Sequence, residues 1–315
     1  MSHVELKPGT TLVVTGAGSG FGLEFARLGA QRGLNLVLAD VQTDALDAAV
    51  AECKATLIAG GQGGKVYGLR CDVSRKEEVK ALASLCMERF GAPHVVINNA
   101  GVAHGGLIWE HTTRDWEWVL GVNLMGVVHG IRYFTPLMLA AAEQDPAWQG
   151  HIVNVASMAG LLNSPNMGAY NVSKHAVVSL TETLHQDLSL VTEQVHASVL
   201  CPYFVPTGIH LSHRNRPEQL KSNARPTASQ MIAQAMSTKA VTSGKVSAAD
   251  TAKLVFDGIE ANRFYLYTHP QALGMVQTRL EDVVQARNPT DPFAGKPEIG
   301  QQLRAALRDA KAKPS

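Results

Sequence analysis

A chain of 315 residues with 45% hydrophobic and 17% charged positions has the composition of a globular protein with a sizeable core. Its 28 Lys and Arg against 27 Asp and Glu offer no electrostatic footprint for nucleic acid or an anionic membrane. The start, MSHVELKPGT, lacks the apolar stretch of a signal peptide, and no run approaches the about 20 apolar residues of a membrane span, so a cytoplasmic location is expected.

In chain order, an apolar run at 11–15 (TLVVT) is followed at once by the glycine-rich TGAGSGFG and a helical pattern over 22–32. A second run, 34–39, ends beside Asp40 and leads into a helix-like stretch over 43–59. Further runs rich in Val, Ile and Leu lie at 66–71, 94–98, 150–156 and 195–201, and FYLYT at 264–268 offers a last strand. Short continuous apolar runs alternating with helical stretches read as buried parallel strands joined by right-handed crossovers. The expected fold class is therefore α/β: a doubly wound Rossmann fold, a mostly parallel seven-stranded sheet with helices on both faces, as a single domain over 1–268. Residues 207–245, including RNRPEQLKSNARP, are too long and polar for an ordinary connection and are expected to form a lid or a disordered insertion. In the tail, 269–315, an amphipathic stretch with Leu273, Val276, Leu280, Val283 and Val284 is expected to dock on the domain or a neighbouring subunit and the last residues to fray. Cys53, Cys71, Cys86 and Cys201 lack zinc or redox-pair spacing and read as reduced thiols; His104, His151, His175 and His185 likewise form no metal-ligand pattern. Trp109, Trp116 and Trp118 read as core or subunit packing.

The first strand-to-helix turn carries Gly16, Ser19, Gly20, Phe21 and Gly22. Glycines there allow the backbone to approach a pyrophosphate, whose charge is favoured by the free N–H groups of the helix start. Asp40, 20 residues beyond Gly20, is placed to accept hydrogen bonds from an adenosine ribose or to cap the next helix. A carboxylate there repels a 2′-phosphate, and neither Ser19 nor Val41 is basic, so NAD is expected over NADP. Asp72, in Cys71-Asp72-Val73, either caps a helix or contacts adenine.

Tyr170 and Lys174 are spaced i, i+4 in GAYNVSKHAVVSLTETLHQDL, whose helical periodicity puts both on one face. A nearby ammonium stabilises phenolate and is expected to move the tyrosine down from about 10. Ser157 ends the fifth strand at the carboxyl edge, where open α/β sheets bind ligands, with a hydroxyl free to bond a substrate oxygen.

These residues carry a resemblance. With TGAGSGFG, Asn98-Asn99-Ala100-Gly101, Asn123 in GVNLMG, Ser157 and Tyr170-Asn171-Val172-Ser173-Lys174 in order, residues 10–268 resemble the short-chain dehydrogenase/reductase family, in its compact TGxxxGxG branch. The resemblance implies that Tyr170 exchanges the proton of the alcohol or carbonyl oxygen while Ser157 steadies that oxygen. Lys174 would bind the nicotinamide ribose and tune Tyr170, and Asn123 would hold a relay water. Asn99, Ala100 and Gly101 would line the adenosine-ribose side. Pro202, Val205 and Thr207 match positions at the nicotinamide carboxamide, but the usual Pro-Gly is here Pro202-Tyr203, which adds bulk beside the reacting carbon.

The expected activity is NAD(H)-dependent hydride transfer between nicotinamide and a secondary alcohol or ketone. Positions 102–107, 158–163, Tyr203 and 207–245 would form a mainly apolar pocket without an arginine cluster, suited to hydrophobic or aromatic substrates. The alternative is a non-catalytic dinucleotide-binding regulator, which has no need of Asn123, Ser157, Tyr170 and Lys174 together. A dehydratase or epimerase would call for the extended-branch glycine spacing. The resemblance also implies a homodimer or homotetramer, and Val177, Val178, Leu180, Leu184 and Leu188 offer more apolar surface than one sheet face needs.

Overall fold

The computed structural model describes residues 3–61, 63–221 and 224–312. One sheet contains β1 (Thr11–Thr15), β2 (Asn35–Asp40), β3 (Val66–Arg70), β4 (Val95–Asn98), β5 (Gly150–Val155), β6 (Val195–Cys201) and β7 (Tyr265–Tyr267). Its order is β3-β2-β1-β4-β5-β6-β7, and every neighbouring pair is parallel, a stricter form of the mostly parallel sheet expected. The helices are α1 (Gly20–Gln31), α2 (Thr43–Gly60), α3 (Lys76–Phe90), α4 (Thr113–Leu120), α5 (Gly126–Gln144), α6 (Gly168–Val191), α7 (Ala228–Thr242), α8 (Ala248–Glu260), α9 (Leu273–Val284) and α10 (Pro297–Ala312).

Successive strand side chains point to opposite faces, so continuous apolar runs feed two helical layers at once. Leu12, Val14, Leu36, Leu38 and Ile97 pack with Phe25 of α1 and Phe256 of α8. Val13, Val37, Val96 and Ile152 pack on the other face with Leu82 of α3, Phe134 and Met138 of α5 and Leu184 of α6. From β1 the chain winds outward through β2 and β3, then returns to place β4 on the other side of β1. This reversal opens a crevice at the carboxyl ends of β1 and β4, and the site lies there.

At the other end of the sheet, His151 is buried in β5 with Nε2 2.6 Å from Ser198 Oγ. Ser198 donates its single hydroxyl proton to Arg263 O, so His151 Nε2 is the donor of the pair. Burial, reinforced by His196, His3 and His185, pushes the imidazole down to about 3. An unfolded imidazole titrates near 6.5, so as the pH falls the unfolded chain takes up this proton first. The stability from a neutral His151 is therefore present above about pH 6.5 and lost progressively toward pH 3, about 2 kcal/mol by about pH 5. In urea titrations, His151→Gln is expected to shrink the difference in unfolding free energy between about pH 7.5 and about pH 5 by that amount. An unchanged difference would assign the acid sensitivity to other groups.

Packing refines several expectations. Residues 207–245, read as lid or disorder, contain α7, which opens with a reciprocal cap between Thr227 and Gln230, so the disordered alternative is the one that fails there. The tail expected to fray holds α10, which packs on α7 and buries Leu303, while positions 313–315 lie outside the described residues. In α9 Val276 and Asp282 are buried, while Leu280, Val283 and Val284 are exposed. Val177, Val178, Leu184 and Leu188 of α6 are buried within the chain itself, while Leu180 is half-buried and Val172, Leu190 and Val191 of the same helix are exposed. All four cysteines are free and buried, and burial pushes each thiol up to about 12, the inert state of core thiols. Among the described residues, Thr113–Gln144 is the one helical run long and apolar enough to cross a membrane by length and composition. Here it is a core element that buries Trp118, Val119, Val127, Phe134 and Met138.

Candidate active site

The crevice floor is the turn after β1. Gly16 adopts a φ of +67°, and a Cβ on it would meet Ala100 Cα at 2.9 Å. At Gly22 a Cβ would stand 2.0 Å from Gly16 O, so the first turn of α1 can lie on the loop only without a side chain. Ser19, at the N-cap of α1, makes no side-chain cap bond, which leaves the helix start open toward the cleft that Ser19, Gly20 and Phe21 line. The loop is tied to the end of β4: Thr15 Oγ1 accepts from Asn99 N (3.0 Å) and Ala100 N (3.1 Å), and Asn99 Nδ2 donates to Thr15 O (2.8 Å) and Gly16 O (3.2 Å). The NNAG segment thus builds the loop as well as lining the cleft with Asn99, Ala100 and Gly101.

Two acids stand on the wall. Asp40 Oδ2 accepts from Gly18 N at 2.8 Å and Oδ1 from Gln42 N at 2.9 Å, so it both braces the glycine loop and anchors the start of α2. Asp72 Oδ1 accepts from Ser74 N (3.0 Å) and Ser74 Oγ (2.7 Å), a local turn bond that leaves the residue on the cleft wall beside Val73.

Across the crevice, α6 brings up Tyr170, with Lys174 one turn later. The Tyr170 phenol lies near Ser157, whose Oγ accepts from Ala159 N (3.1 Å) and donates to Pro202 O (3.3 Å). Burial pushes the phenol up to about 12, against the pull of the Ser157 hydroxyl. This reverses the expected lowering. The Lys174 ammonium lies 5.8 Å from the ring centroid and donates to Val155 O at 2.9 Å, and burial pushes it down to about 8. Desolvation outweighs the ammonium here because that charge is directed at a peptide carbonyl.

Asn123 sits in a π-helical turn, Gly121–Met125, between α4 and α5, a rare geometry concentrated at functional sites. Fully buried, it accepts from Val102 N (2.8 Å) and donates to Val102 O (2.9 Å) and Ser173 Oγ (3.0 Å). Both amide hydrogens are engaged, which joins the β4 loop to α6.

The segment after Thr207 covers the mouth of this cleft. Its 3₁₀ run Gly208–Asn215 is held by Ala103 N donating to Ser212 Oγ at 3.0 Å. Beyond it Arg216 pairs with buried Asp115 at 2.6 Å. The start of α7 is held where Ser229 Oγ accepts from Leu107 N (2.9 Å), and where the Thr227 and Ser229 hydroxyls donate to Glu110 Oε2 (2.7 and 2.6 Å).

A family model described as short chain dehydrogenase matches residues 10–218. The chain belongs to that family. It is an oxidoreductase of the Rossmann type, and its relatives cover most of its length. A crystal structure of a short chain dehydrogenase/reductase from Burkholderia phymatum, in complex with NAD, matches with TM-score 0.87 and 50% identity over 92% of this chain and all of that one. A "CLA biosynthesis dehydrogenase/reductase" of Lactiplantibacillus plantarum is 34% identical, covering 87% of this chain and 92% of its own. A "C alpha-dehydrogenase" of Sphingobium sp. is 29% identical over 93% and 90%.

Most cofactor residues proposed from the motifs share one cleft in this family member: Gly16, Ser19, Gly20, Phe21, Asp40, Asp72, Val73, Pro202, Thr207, Tyr170 and Lys174. Gly22 and Val205 are buried and are not among the residues that line it. Tyr203 packs its ring on Phe204 (4.3 Å between centroids) and His269 (5.8 Å). Ile209, Ser212, Arg214 and Asn215 also line the cleft and fall within 207–245, expected as part of a pocket though not named singly, whereas Val41, Val122, Val155 and Ala156 line it without having been expected to. Of these, Val41, directly after Asp40, had a local signal.

Proposed function

We propose that this chain is an NAD(H)-dependent dehydrogenase that interconverts a hydrophobic or aromatic secondary alcohol and its ketone, with Tyr170 as general acid and base. The observation that carries the reading is Tyr170 and Lys174 together on the wall of a cleft whose floor is an uncapped helix start, with Ser157 near the phenol. The dinucleotide fits these residues: the Gly16 loop presents backbone without a side chain, the open N–H groups of α1 suit a pyrophosphate, and Asp40 suits a ribose diol. The relative solved with NAD supports the same cofactor, as does the absence of a basic side chain at Ser19 and Val41.

When bound, nicotinamide supplies the hydride acceptor or donor. Tyr170 Oη gives a proton to the carbonyl oxygen in reduction and removes one from the alcohol in oxidation. Ser157 Oγ hydrogen-bonds the same oxygen and holds it against Tyr170. Lys174 serves the nicotinamide ribose hydroxyls and supplies positive charge near the phenol. Asn123, with both amide hydrogens engaged, can hold a relay water only through a carbonyl oxygen. Tyr203, Met158, Leu161 and Leu162, which pack together beyond Ser157, favour an apolar substrate.

The high phenol pKa dictates a pH dependence. Reduction uses the protonated Tyr170, which predominates well below about 12, whereas oxidation uses the deprotonated fraction, which grows as pH rises toward that value. With a panel of secondary aryl and alkyl alcohols and NAD, reduced nicotinamide is expected to form, up to about a hundredfold faster at about pH 9 than at about pH 7 where proton removal limits the rate. Reduction of the matching ketone should change less than about twofold over that range. No turnover on any alcohol or ketone would favour the non-catalytic regulator instead.

A further inference from the structure

Two cations line the cleft, Lys174 and Arg214. Lys174 is bonded to Val155 O, whereas the Arg214 guanidinium, among the described residues, has no acidic partner and no hydrogen bond. The backbone around it is nevertheless pinned. Ser212 is held by Ala103 N, Arg216 by buried Asp115, and Asn215 Oδ1 accepts from Gln42 Nε2 at 2.9 Å, a bond that crosses to the start of α2. Three neighbours of Arg214 are therefore fixed at the cleft mouth while its own charged end is left without a partner.

Two short contacts connect that charged end to the start of α1. Arg214 Nη2 lies 3.2 Å from where a Cβ on Gly208 would be, and Thr207, next to Gly208, lies 3.3 Å from where a Cβ on Gly20 would be. Gly20 opens α1, whose first N–H groups have no side-chain cap. A helix start offers only about half a positive charge, and Asp40 on the same wall adds a negative one. A dinucleotide pyrophosphate carries two negative charges, so the floor leaves it under-neutralised. A planar guanidinium can bond two phosphate oxygens at once.

We propose that Arg214 is a cofactor-binding residue whose guanidinium closes over the pyrophosphate of the dinucleotide, on the side opposite the N–H groups of α1. The inference rests on the dinucleotide reading given above. The segment after Thr207 then contributes directly to cofactor affinity, and the Arg216–Asp115 pair acts as a positioning device for Arg214.

The test is equilibrium binding of NADH, NADPH, ADP-ribose and adenosine to the unmodified chain and to Arg214→Gln, Arg214→Lys and Lys239→Gln, at low and high salt. Arg214→Gln is expected to weaken NADH and ADP-ribose about tenfold or more and to leave adenosine, which has no phosphate, unchanged. Arg214→Lys should keep part of the affinity, and Lys239→Gln, which removes an exposed cation of α7, should keep all of it. The salt dependence of NADH binding should be shallower in Arg214→Gln. Equal NADH binding by the unmodified chain and Arg214→Gln would overturn the assignment. So would a loss confined to NADPH, which would place Arg214 at a 2′-phosphate, or an equal loss for adenosine, which would mark a disturbed fold. An unmodified chain that binds no dinucleotide would remove the underlying reading as well, an outcome distinct from equal binding by both.

Discussion

Tyr170→Phe is expected to lower turnover at least about a hundredfold while NADH affinity stays within about twofold. The substitution removes only the phenol hydroxyl; the half-buried ring stays in the cleft wall, and Lys174 keeps its bond to Val155 O. Positioned acid/base groups contribute about 10²- to 10⁴-fold, and no second titratable hydroxyl lines this cleft among the described residues to take over. Ser157→Ala should lose less, because it takes away one bond to the reacting oxygen and no proton. Lys174→Ala should damage both cofactor binding and rate. Turnover by Tyr170→Phe at near the unmodified rate, with the fold intact by circular dichroism, would end the proposed mechanism.

The double change Asp40→Ala with Val41→Arg is expected to shift the NAD to NADP ratio of kcat/KM at least about a hundredfold toward NADP. A like charge held against a 2′-phosphate costs several kcal/mol, and an arginine at the adjacent wall position turns that repulsion into attraction. Geometry adds a second effect. Asp40 accepts from Gly18 N and Gln42 N, so alanine leaves one amide of the glycine loop and one at the start of α2 without their acceptor, and NAD use should fall in absolute terms as well. Asp40→Asn, which removes the charge but keeps an acceptor oxygen, separates these effects: it should relax the discrimination with a smaller loss of NAD use. An unmodified chain that uses both cofactors equally would refute the role of the Asp40 charge.

Much of the architecture was legible because its causes are local. A strand buried on both faces needs Val, Leu and Ile at consecutive positions, so β1, β2, β5 and β6 stood out within one or two residues of their observed limits. A loop that touches backbone needs glycine, so Gly16 and Gly22 marked the cleft floor before any contact was known. Four-residue spacing puts Tyr170 and Lys174 on one helical face wherever the helix packs.

What escaped sequence reading depends on partners far away in the chain. Arg216 and Asp115 pair across 101 positions (216 − 115), and no periodicity records such a contact, so the segment could be read only as either a lid or disorder. The same limit hid α10, which buries Leu303 while packing on α7, and the inward orientation of Val177 and Leu184, which looked like spare surface on an isolated helix. The direction of the Tyr170 shift was missed for a related reason. The sequence showed an ammonium one turn away, but only the fold aimed it at Val155 O and buried the phenol. Residue type and spacing thus determined the strands, the glycine loop and which groups could do the chemistry. Burial and long-range contact, which exist only once the sheet and its helices have closed around the site, decided the protonation of Tyr170 and the place of Arg214.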